Sequence, residues 1–406
     1  MRDTFLNFSP PSIGEEEINE VIDTLRSDWI TTGPKTKRFE QEFAAAVGAQ
    51  ASLALNSGTA AMHVALAALG IGPGDAVITT PMTFVSTVHV IEQVGAQPVL
   101  ADVERDTLNL DPACVAEKIE AAQKQGFRVK AILPVHLYGH PCDQKRLMDL
   151  AHEHELAIIE DAAHALPARY DGRIIGSANG ANSVRVLTCF SFYATKNLAT
   201  GEGGMLTGPP DLIDEARIWS LHGMSRDAWN RYGEKGSWYY EVIRPGFKYN
   251  LTDMQAAMGL QQLRKLKGFH ERRAEIAAEY NRSFAKFDEL SCPVTRPEVE
   301  HAWHLYVLRL NLEQLRITRS EFIEQLKERR IGASVHFIPV HLHPYYRDKY
   351  EFQPEDFPVT FSEFQRIISL PLNPRLTDQD VRDVIEAVGD IVANSRGEVR
   401  KQASGA

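Results

Sequence analysis

From residue 51 to residue 207, short apolar runs alternate with stretches of helical periodicity. Several of the runs are continuously apolar, a pattern that is typical of strands buried on both faces of a sheet. Thr59–Leu69 and Asp143–His154 are two of the helical stretches that lie between them. The alternation predicts an α/β domain with a mainly parallel sheet. The predicted strands are Ser52–Leu55, Ala76–Thr79, Pro98–Ala101, Ala131–Val135, Ala157–Ile159, Leu187–Phe192 and Gly204–Thr207.

Before this region, Ile18, Val21, Ile22 and Leu25 fall at helical spacing and predict a helix over Glu15–Arg26. A loop follows at residues 29–34, and a second helix is predicted near Thr36–Val47.

After Asn250 the pattern becomes that of a smaller α+β domain. We therefore predict a large domain over residues 1–255 and a small one over residues 256–406, linked by a long helix in which Gly268 marks a candidate break. A loop rich in proline and histidine occupies residues 336–346. The helices and the strand predicted here are Thr252–Phe287, His304–Leu310, Arg319–Arg330 and Thr377–Ala393.

Composition excludes several classes of protein. The 406 residues allow two or three domains, and an apolar fraction of 44% excludes a disordered chain. The net charge of −10 disfavours binding to nucleic acid, since an acidic surface repels phosphate backbones. The four cysteines form no C-x-x-C pair, and the sequence contains neither a signal peptide nor an apolar run long enough to span a membrane. We therefore expect a cytoplasmic protein.

The first motif with possible chemistry is Asn56-Ser57-Gly58-Thr59, followed by an alanine-rich helix. The start of a helix leaves N–H groups free and carries a positive dipole end, so it binds phosphate well. Gly58 allows close approach of the backbone, and Ser57 or Thr59 can donate a hydroxyl. An ordinary helix cap would have the same sequence.

The second motif is Glu160-Asp161, which ends a predicted strand. Ligands of open α/β sheets collect at the carboxyl ends of strands, and a buried acid there needs a cationic partner. That partner is either a cofactor ring nitrogen or a neighbouring basic residue of the protein.

The third motif is Lys196, which follows FSFYAT and precedes the glycines of GEGG. A lysine in a crowded pocket can have a lowered pKa and form a Schiff base, although most lysines lie at the surface. Together, the helix start, the acid and the lysine match what a pyridoxal 5'-phosphate (PLP) site requires: a phosphate cup, an anion at the pyridine nitrogen and an amine.

Four blocks of the sequence resemble signature motifs of the DegT/StrS family of PLP-dependent sugar aminotransferases. They are NSGTAAM, EDAAHA, FSFYATKNLATGEGGM and PGFKYNLTDMQAA, and the resemblance extends from residue 28 to residue 374. It implies the aspartate aminotransferase fold (fold type I), with a large mainly parallel sheet domain and a smaller C-terminal α+β domain. Within the family, DWITTGPK, TFVSTV, RDTLNL, GFKYNLTD and HAWHL are most similar to the UDP-4-amino-4-deoxy-L-arabinose aminotransferases.

The resemblance also implies a role for each matching residue. Lys196 matches the Schiff-base lysine, and Asp161 matches the acid at the pyridine nitrogen. Tyr193 stands where many relatives have histidine, which changes a group that titrates near neutrality. The other implied cofactor contacts are Gly58 and Thr59 in the phosphate turn, Ser191 as a phosphate-binding hydroxyl, Phe84 stacked on the ring, His164 beside the ring hydroxyl, and Asn250 at the phosphate of the neighbouring subunit's cofactor.

The implied reaction moves an amino group from an amino acid, glutamate, to a keto-sugar, a nucleotide-linked 4-keto sugar of cell-surface polysaccharide or lipid A synthesis. Asn250 implies a homodimer with shared active sites. Thr31, Tyr193 and His336 are predicted to contact substrate, and no metal is implied, although His336, His341 and His343 lie close together in the chain. The alternatives are a cyclitol or antibiotic-sugar aminotransferase, a dehydratase, which would carry histidine in place of Lys196, and a non-catalytic regulatory protein.

Overall fold

The protein is described by a computed structural model that covers residues 2–178, 183–225 and 239–397. Its centre is a seven-stranded sheet with the strand order β1-β9-β8-β5-β4-β2-β3. β9 runs antiparallel to both of its neighbours and the remaining pairs are parallel, so the predicted mainly parallel sheet is confirmed. The strands of this half are β1 (Ala51–Leu55), β2 (Asp75–Thr79), β3 (Gln97–Leu100), β4 (Arg128–Ile132), β5 (Ala157–Asp161), β6 (Arg169–Tyr170), β7 (Arg173–Ile174), β8 (Val186–Ser191) and β9 (Gly204–Gly208).

The seven strands of the central sheet fall where apolar runs predicted them, with one clear shift. β4 begins at Arg128 and ends at Ile132, whereas we had predicted residues 131–135. Pro134 explains the early end, because proline has no N–H to donate to a neighbouring strand. Its carbonyl still accepts the N–H of Asp161 at 2.8 Å, so the segment continues beside β5.

Helices surround the sheet. Those of the first half are α1 (Glu15–Arg26), α2 (Pro34–Val47), α3 (Gly58–Ala68), α4 (Ser86–Gln93), α5 (Pro112–Lys124), α6 (Gln144–Glu153) and α7 (Pro210–Ser220). The rest of the chain forms α8 (Asp253–Phe284), β10 (Leu290–Ser291), β11 (Val299–Glu300), β12 (Tyr306–Leu310), α9 (Arg319–Glu328), α10 (Pro344–Tyr350), α11 (Pro358–Phe364), β13 (Ile367–Leu370) and α12 (Asp378–Ser395). Within the described residues, no helix combines the length and the apolar character that crossing a membrane requires.

The C-terminal half has its own core. Tyr280 and Phe284 of α8 pack against Tyr306 of β12, Phe322 of α9 and Val388 of α12, and all five are buried. Strands β10, β12 and β13 form an antiparallel sheet beside this core. The start of the chain joins the same core, since Leu6 belongs to the cluster and its N–H donates to the Arg330 carbonyl at 2.8 Å. The boundary at residues 255 and 256 stays a prediction.

Helix α8 is continuous over 32 residues, so the break proposed near Gly268 is wrong. Gly268 is exposed, and no atom lies within 4 Å of the position that a Cβ would occupy there. An exposed glycine costs a helix only about 1 kcal/mol, and the buried positions on both sides of Gly268 offset that cost.

Helix α1 forms as predicted, but it presents an unexpected face to α8. Its polar residues Glu17 and Thr24 are buried, whereas Ile18, Ile22 and Leu25 are 44%, 36% and 57% exposed. Lys265 of α8 pairs with Glu17 at 2.7 Å, which explains how this acid tolerates burial. The apolar residues that predicted this helix therefore lie mostly on its solvent-exposed side in the single chain.

Asp253, the first residue of α8, fastens the start of α2. Its Oδ1 accepts hydrogen bonds from the backbone N–H groups of Gly33 and Thr36, both at 2.8 Å, and from the Thr36 hydroxyl at 2.6 Å. Its Oδ2 accepts the N–H of Lys35 at 3.0 Å. A buried carboxylate thus satisfies the N–H groups that a helix start leaves unpaired.

We predict that Asp253→Ala lowers the free energy of unfolding by about 2 to 4 kcal/mol, because several buried donors lose a charged acceptor. The measurement is urea denaturation followed by circular dichroism. Asp211→Ala is the control, since Asp211 lies in the first turn of α7 but is exposed, and it should change stability by no more than ~0.5 kcal/mol. Equal effects of the two substitutions would contradict the anchoring role of Asp253.

Candidate active site

A cavity of about 550 Å³ opens where strands β5 and β8 end. Asp161 is the last residue of β5 and Ser191 the last of β8, so both lie at the carboxyl edge of parallel strands. This edge is where open α/β sheets bind ligands. The cavity brings together most of the site residues predicted from the sequence: Gly58, Thr59, Phe84, Asp161, His164, Ser191, Tyr193, Lys196 and His336.

One wall of the cavity is the N-terminus of α3. Ser57 caps this helix, its hydroxyl accepting the N–H of Ala60 at 3.0 Å. The cap leaves the first N–H groups, those of Gly58 and Thr59, without intrahelical partners. A Cβ on Gly58 would lie 2.9 Å from the Ser191 Cβ, so only glycine lets the helix start contact the end of β8 this closely. This is a cradle suited to an anion.

Asp161 is buried, and both of its carboxylate oxygens are hydrogen-bonded. Oδ2 accepts the Thr87 hydroxyl at 2.8 Å, and Oδ1 accepts the N–H of Ala163 at 3.1 Å. Burial raises the pKa of this carboxyl, whereas the two hydrogen bonds and the charge of Lys196 oppose the rise. The site thus contains a desolvated acid whose ionised form is supported by donors.

Lys196 lies in the turn after β8, half-buried among the residues that line the cavity. Removal from water lowers the pKa of its amine to about 8, and the carboxylate of Asp161 opposes part of that shift. An amine of this pKa is partly neutral at physiological pH, so it can act as a nucleophile or accept a proton.

Two neighbouring histidines, tilted by 34° to one another, have their protonation set by the protein around them. His164 and His304 have ring centroids 4.3 Å apart. The Nδ1 of His164 accepts the N–H of Tyr138 at 3.2 Å, so its hydrogen lies on Nε2. Asn197 donates its amide hydrogens to two carbonyls, so its oxygen accepts from the Nδ1 of His304 at 3.2 Å. Burial holds the pKa of both imidazoles well below the usual value, which favours the neutral form of each ring.

Aromatic side chains surround the mouth of the cavity. Phe84 is 57% exposed and faces Phe337 from the C-terminal half at 5.8 Å between ring centroids. His336 stacks on Phe8 at 5.3 Å, its Nδ1 lies 2.8 Å from the Ser369 hydroxyl, and burial lowers its pKa to about 4. Tyr193 is 48% exposed at the same opening. Such a rim offers flat faces to a ligand.

Two predicted residues do not line the cavity of this chain. Thr31 is exposed, and its carbonyl accepts the N–H of Asp253 at 3.0 Å. Asn250 lies beside it, donating its side-chain amide to the Thr32 hydroxyl at 2.6 Å. An asparagine just before a helix could serve only as its cap, but Thr252, not Asn250, caps α8.

Two arginines of the sequence, Arg231 and Arg244, are of the residue type that binds a donor carboxylate. Arg244 forms a surface ion pair with Glu215 at 2.8 Å, and Arg231 lies outside the described residues. His341 is buried against Phe357, with ring centroids 4.8 Å apart. Across the part of the chain that the structure describes, no group of three or more His, Cys, Asp or Glu residues could hold a metal ion.

Comparison with known proteins gives these features a family. Residues 11–389 match the DegT/DnrJ/EryC1/StrS aminotransferase family. The chain belongs to this family. It is 52% identical over 393 residues to the spore coat polysaccharide biosynthesis protein SpsC of Bacillus subtilis, with 96% of this chain and 98% of SpsC covered.

Solved structures of two further proteins extend the comparison. Spr1654 of Streptococcus pneumoniae has been solved with the cofactor in its PMP (pyridoxamine 5'-phosphate) and PLP forms. The PMP form matches with a TM-score of 0.87 at 35% identity and the PLP form with a TM-score of 0.85 at 34% identity. Each match covers 96% of this chain and 99% of Spr1654. The sugar aminotransferase CalS13 of Micromonospora echinospora matches with a TM-score of 0.82 at 26% identity, covering 94% and 99% of the two chains. This chain is therefore a PLP-dependent aminotransferase with the predicted fold.

The groups in the cavity fit this cofactor by their chemistry. The start of α3 and Ser191 could hold the phosphate, Asp161 the ring nitrogen, the Nε2–H of His164 the ring hydroxyl, and Lys196 the aldehyde carbon. The backbone of β9 also lies close to the start of α3. A Cβ on Gly204, the first residue of β9, would lie 2.4 Å from the Ser57 carbonyl oxygen, so this contact, too, depends on a glycine.

Sequence reasoning missed several residues of the cavity, chiefly Thr83, His304 and Phe337, together with Thr87 behind Asp161. Thr83 and Thr87 were visible only as part of TFVSTV, and no helical spacing relates the two, because Thr83 lies in the bend before α4. His304 was visible only as part of HAWHL, and nothing in that segment indicates that it meets a strand end from the other half of the chain.

We predict that Lys196 in the cofactor-free protein reacts with a small acylating reagent with a pH midpoint near 8, far below the 10.5 of an ordinary lysine. Labelling at a series of pH values, read by peptide mass spectrometry, gives the midpoint, and the exposed Lys124 serves as the internal reference. Asp161→Asn should lower the midpoint further, because the carboxylate favours the charged amine. A midpoint near 10 would refute the desolvated environment.

Proposed function

We propose that this enzyme transfers an amino group from glutamate to a nucleotide-linked 4-keto sugar, in the synthesis of a cell-surface polysaccharide or lipid A sugar. The observation that carries the proposal is the single cavity in which an amine of lowered pKa, a buried acid and a helix N-terminus meet. SpsC, at 52% identity, is described as a polysaccharide biosynthesis protein, and CalS13 as a sugar aminotransferase, which supports a sugar acceptor.

Each of the polar groups in the cavity has one role in the proposed reaction. Bound PLP supplies a ring that takes up the electron pair left on carbon when a proton departs. The start of α3 and the Ser191 hydroxyl hold the phosphate, and Asp161 holds a proton on the ring nitrogen. The Nε2–H of His164 orients the ring hydroxyl. The Nζ of Lys196 removes the α-proton of the donor and returns a proton to the acceptor carbon, as its pKa near neutrality allows.

The rim of the cavity supports a large, partly flat acceptor. Phe84, Phe337 and Tyr193 present aromatic faces on which a sugar ring or a nucleobase can pack. We assign Tyr193 and His336 to acceptor contacts. Thr31 would reach an acceptor only if a second subunit brought its loop to the cavity.

A panel of acceptors tests the substrate class. The enzyme in its amino-cofactor form is mixed with a nucleotide 4-keto sugar, the same sugar without nucleotide, and a keto-cyclitol, while the visible absorbance of the cofactor is followed. We expect a return of the pyridoxal spectrum with the nucleotide sugar at concentrations at which the others do nothing. Preference for the cyclitol would favour the aminocyclitol alternative, and failure to form the amino form with glutamate would favour a regulatory protein.

We further propose a homodimer whose active sites are shared. The outward apolar face of α1 (Ile18, Ile22 and Leu25) continues into the exposed Trp29 and Ile30. This face borders the loop in which Thr32 holds Asn250. A contiguous apolar surface of this kind suits a second copy of the chain, which would place Asn250 at the partner's cavity.

Subunit mixing tests the shared site. Lys196→Ala, which we expect to be inactive, and Asn250→Ala, which we expect to be weakened, are combined and allowed to exchange. If Asn250 serves the partner's site, each mixed dimer has one intact site, so activity should rise to about a quarter of wild type at equal mixing. Lys196→Ala mixed with Asp161→Ala is the control and should recover nothing, since both residues line one chain's cavity. No recovery in the first mixture would rule out the shared site.

A further inference from the structure

Two buried threonine hydroxyls, one in α4 and one in the turn before it, form a row that ends at Asp161. The Thr87 Oγ1 lies 2.8 Å from the Asp161 Oδ2, and the Thr83 Oγ1 lies 2.8 Å from that of Thr87. Both threonines are almost inaccessible to solvent, at 1% for Thr83 and 0% for Thr87. Thr83 also lines the cavity, so the row of hydroxyls runs from its wall to the acid.

The direction of this row follows from counting hydrogens. An ionised carboxylate only accepts, so Thr87 must donate its single hydroxyl hydrogen to Asp161. Thr87 then has none left for Thr83, and Thr83 must be the donor in their contact. The order is therefore Thr83 to Thr87 to Asp161. A donor that itself accepts a hydrogen bond is polarised and binds an anion more strongly.

Further contacts hold the other end of α4. His89 lies 2.5 Å from the Tyr346 hydroxyl through its Nδ1, and Glu92 accepts hydrogen bonds from the hydroxyls of Tyr345 and Tyr350. These partners belong to α10, in the C-terminal half of the chain. The position of Thr87 is thus fixed by packing outside the cavity, which a positioning residue needs.

We propose that Thr87 is a positioning residue that holds Asp161 ionised and oriented toward the ring nitrogen of the cofactor, with Thr83 setting the direction of its hydroxyl. This inference rests on the role proposed above for Asp161. It adds that the acid depends on a hydroxyl donor that does not itself contact the cofactor. Burial acts against the ionised form of Asp161, and Thr87 is the side-chain donor that opposes it.

The test compares Thr87→Val, which keeps the shape but removes the hydroxyl, with Thr87→Ser, which keeps the hydroxyl. We expect Thr87→Val to weaken PLP binding and lower kcat by about tenfold to a hundredfold, the loss expected for a hydrogen bond to a charged group. Thr87→Ser should retain both within about threefold of wild type. Thr79→Val is the control, because it removes a buried hydroxyl that donates to the Leu133 carbonyl and should leave PLP binding unchanged.

The same substitutions in an Asp161→Ala background separate this inference from the proposed function. Thr87→Val should have no further effect on the PLP dissociation constant there, since its partner is gone. Wild-type turnover in Asp161→Ala would refute the role of the acid itself. If Asp161→Ala is impaired but Thr87→Val and Thr87→Ser lose PLP affinity and kcat to the same extent, only the positioning role of Thr87 is refuted. We expect Thr83→Val to weaken PLP binding and lower kcat less than Thr87→Val does. This variant provides a second measurement if either variant at position 87 folds poorly.

Discussion

The structure depends on keeping an acid and an amine out of water in one cavity. Asp161 and Lys196 are each desolvated, which raises the pKa of the carboxyl and lowers that of the amine, and each charge partly offsets the shift of the other. The carboxylate of Asp161 keeps its charge because two groups donate hydrogen bonds to it. They are the Thr87 hydroxyl of α4 and the N–H of Ala163, which follows β5.

The sheet brings these elements together because parallel strands end at one edge. β5 delivers Asp161, β8 delivers Ser191, and the turn after β1 delivers the start of α3. The C-terminal half closes the cavity from the opposite side with His304, His336 and Phe337. Arg273 of α8 holds the segment that carries His304, since it donates to the carbonyls of His304 and Leu372 at 3.2 and 2.7 Å.

Local patterns predicted the strands of the central sheet, most helices and the three residue types that a PLP site requires, because these depend on neighbours in the chain. They did not predict β13 or the two-residue strands. Partners distant in sequence were harder to predict. The Thr87 hydroxyl could equally have bonded to its own helix, and only the packing of α4 on α3 and on strands β2 and β3 places it beside Asp161. The break expected at Gly268 failed for the same reason, since tertiary contacts along α8 override a local preference.

The apolar face of α1 shows the same difference between what a local pattern predicts and what tertiary packing decides. Periodicity predicted the helix but not its orientation, which Lys265 decides by pairing with Glu17 on the inner side. Turning a polar side inward leaves Ile18, Ile22 and Leu25 facing water, an arrangement that a chain acting alone gains nothing from. A second subunit would recover the hydrophobic free energy of this face. It would also bring Asn250 and Thr31, which lie beside the face and outside this chain's own cavity, to the cavity of its partner. In the proposed dimer, the hydrophobic contact and the completion of the active site are therefore one event.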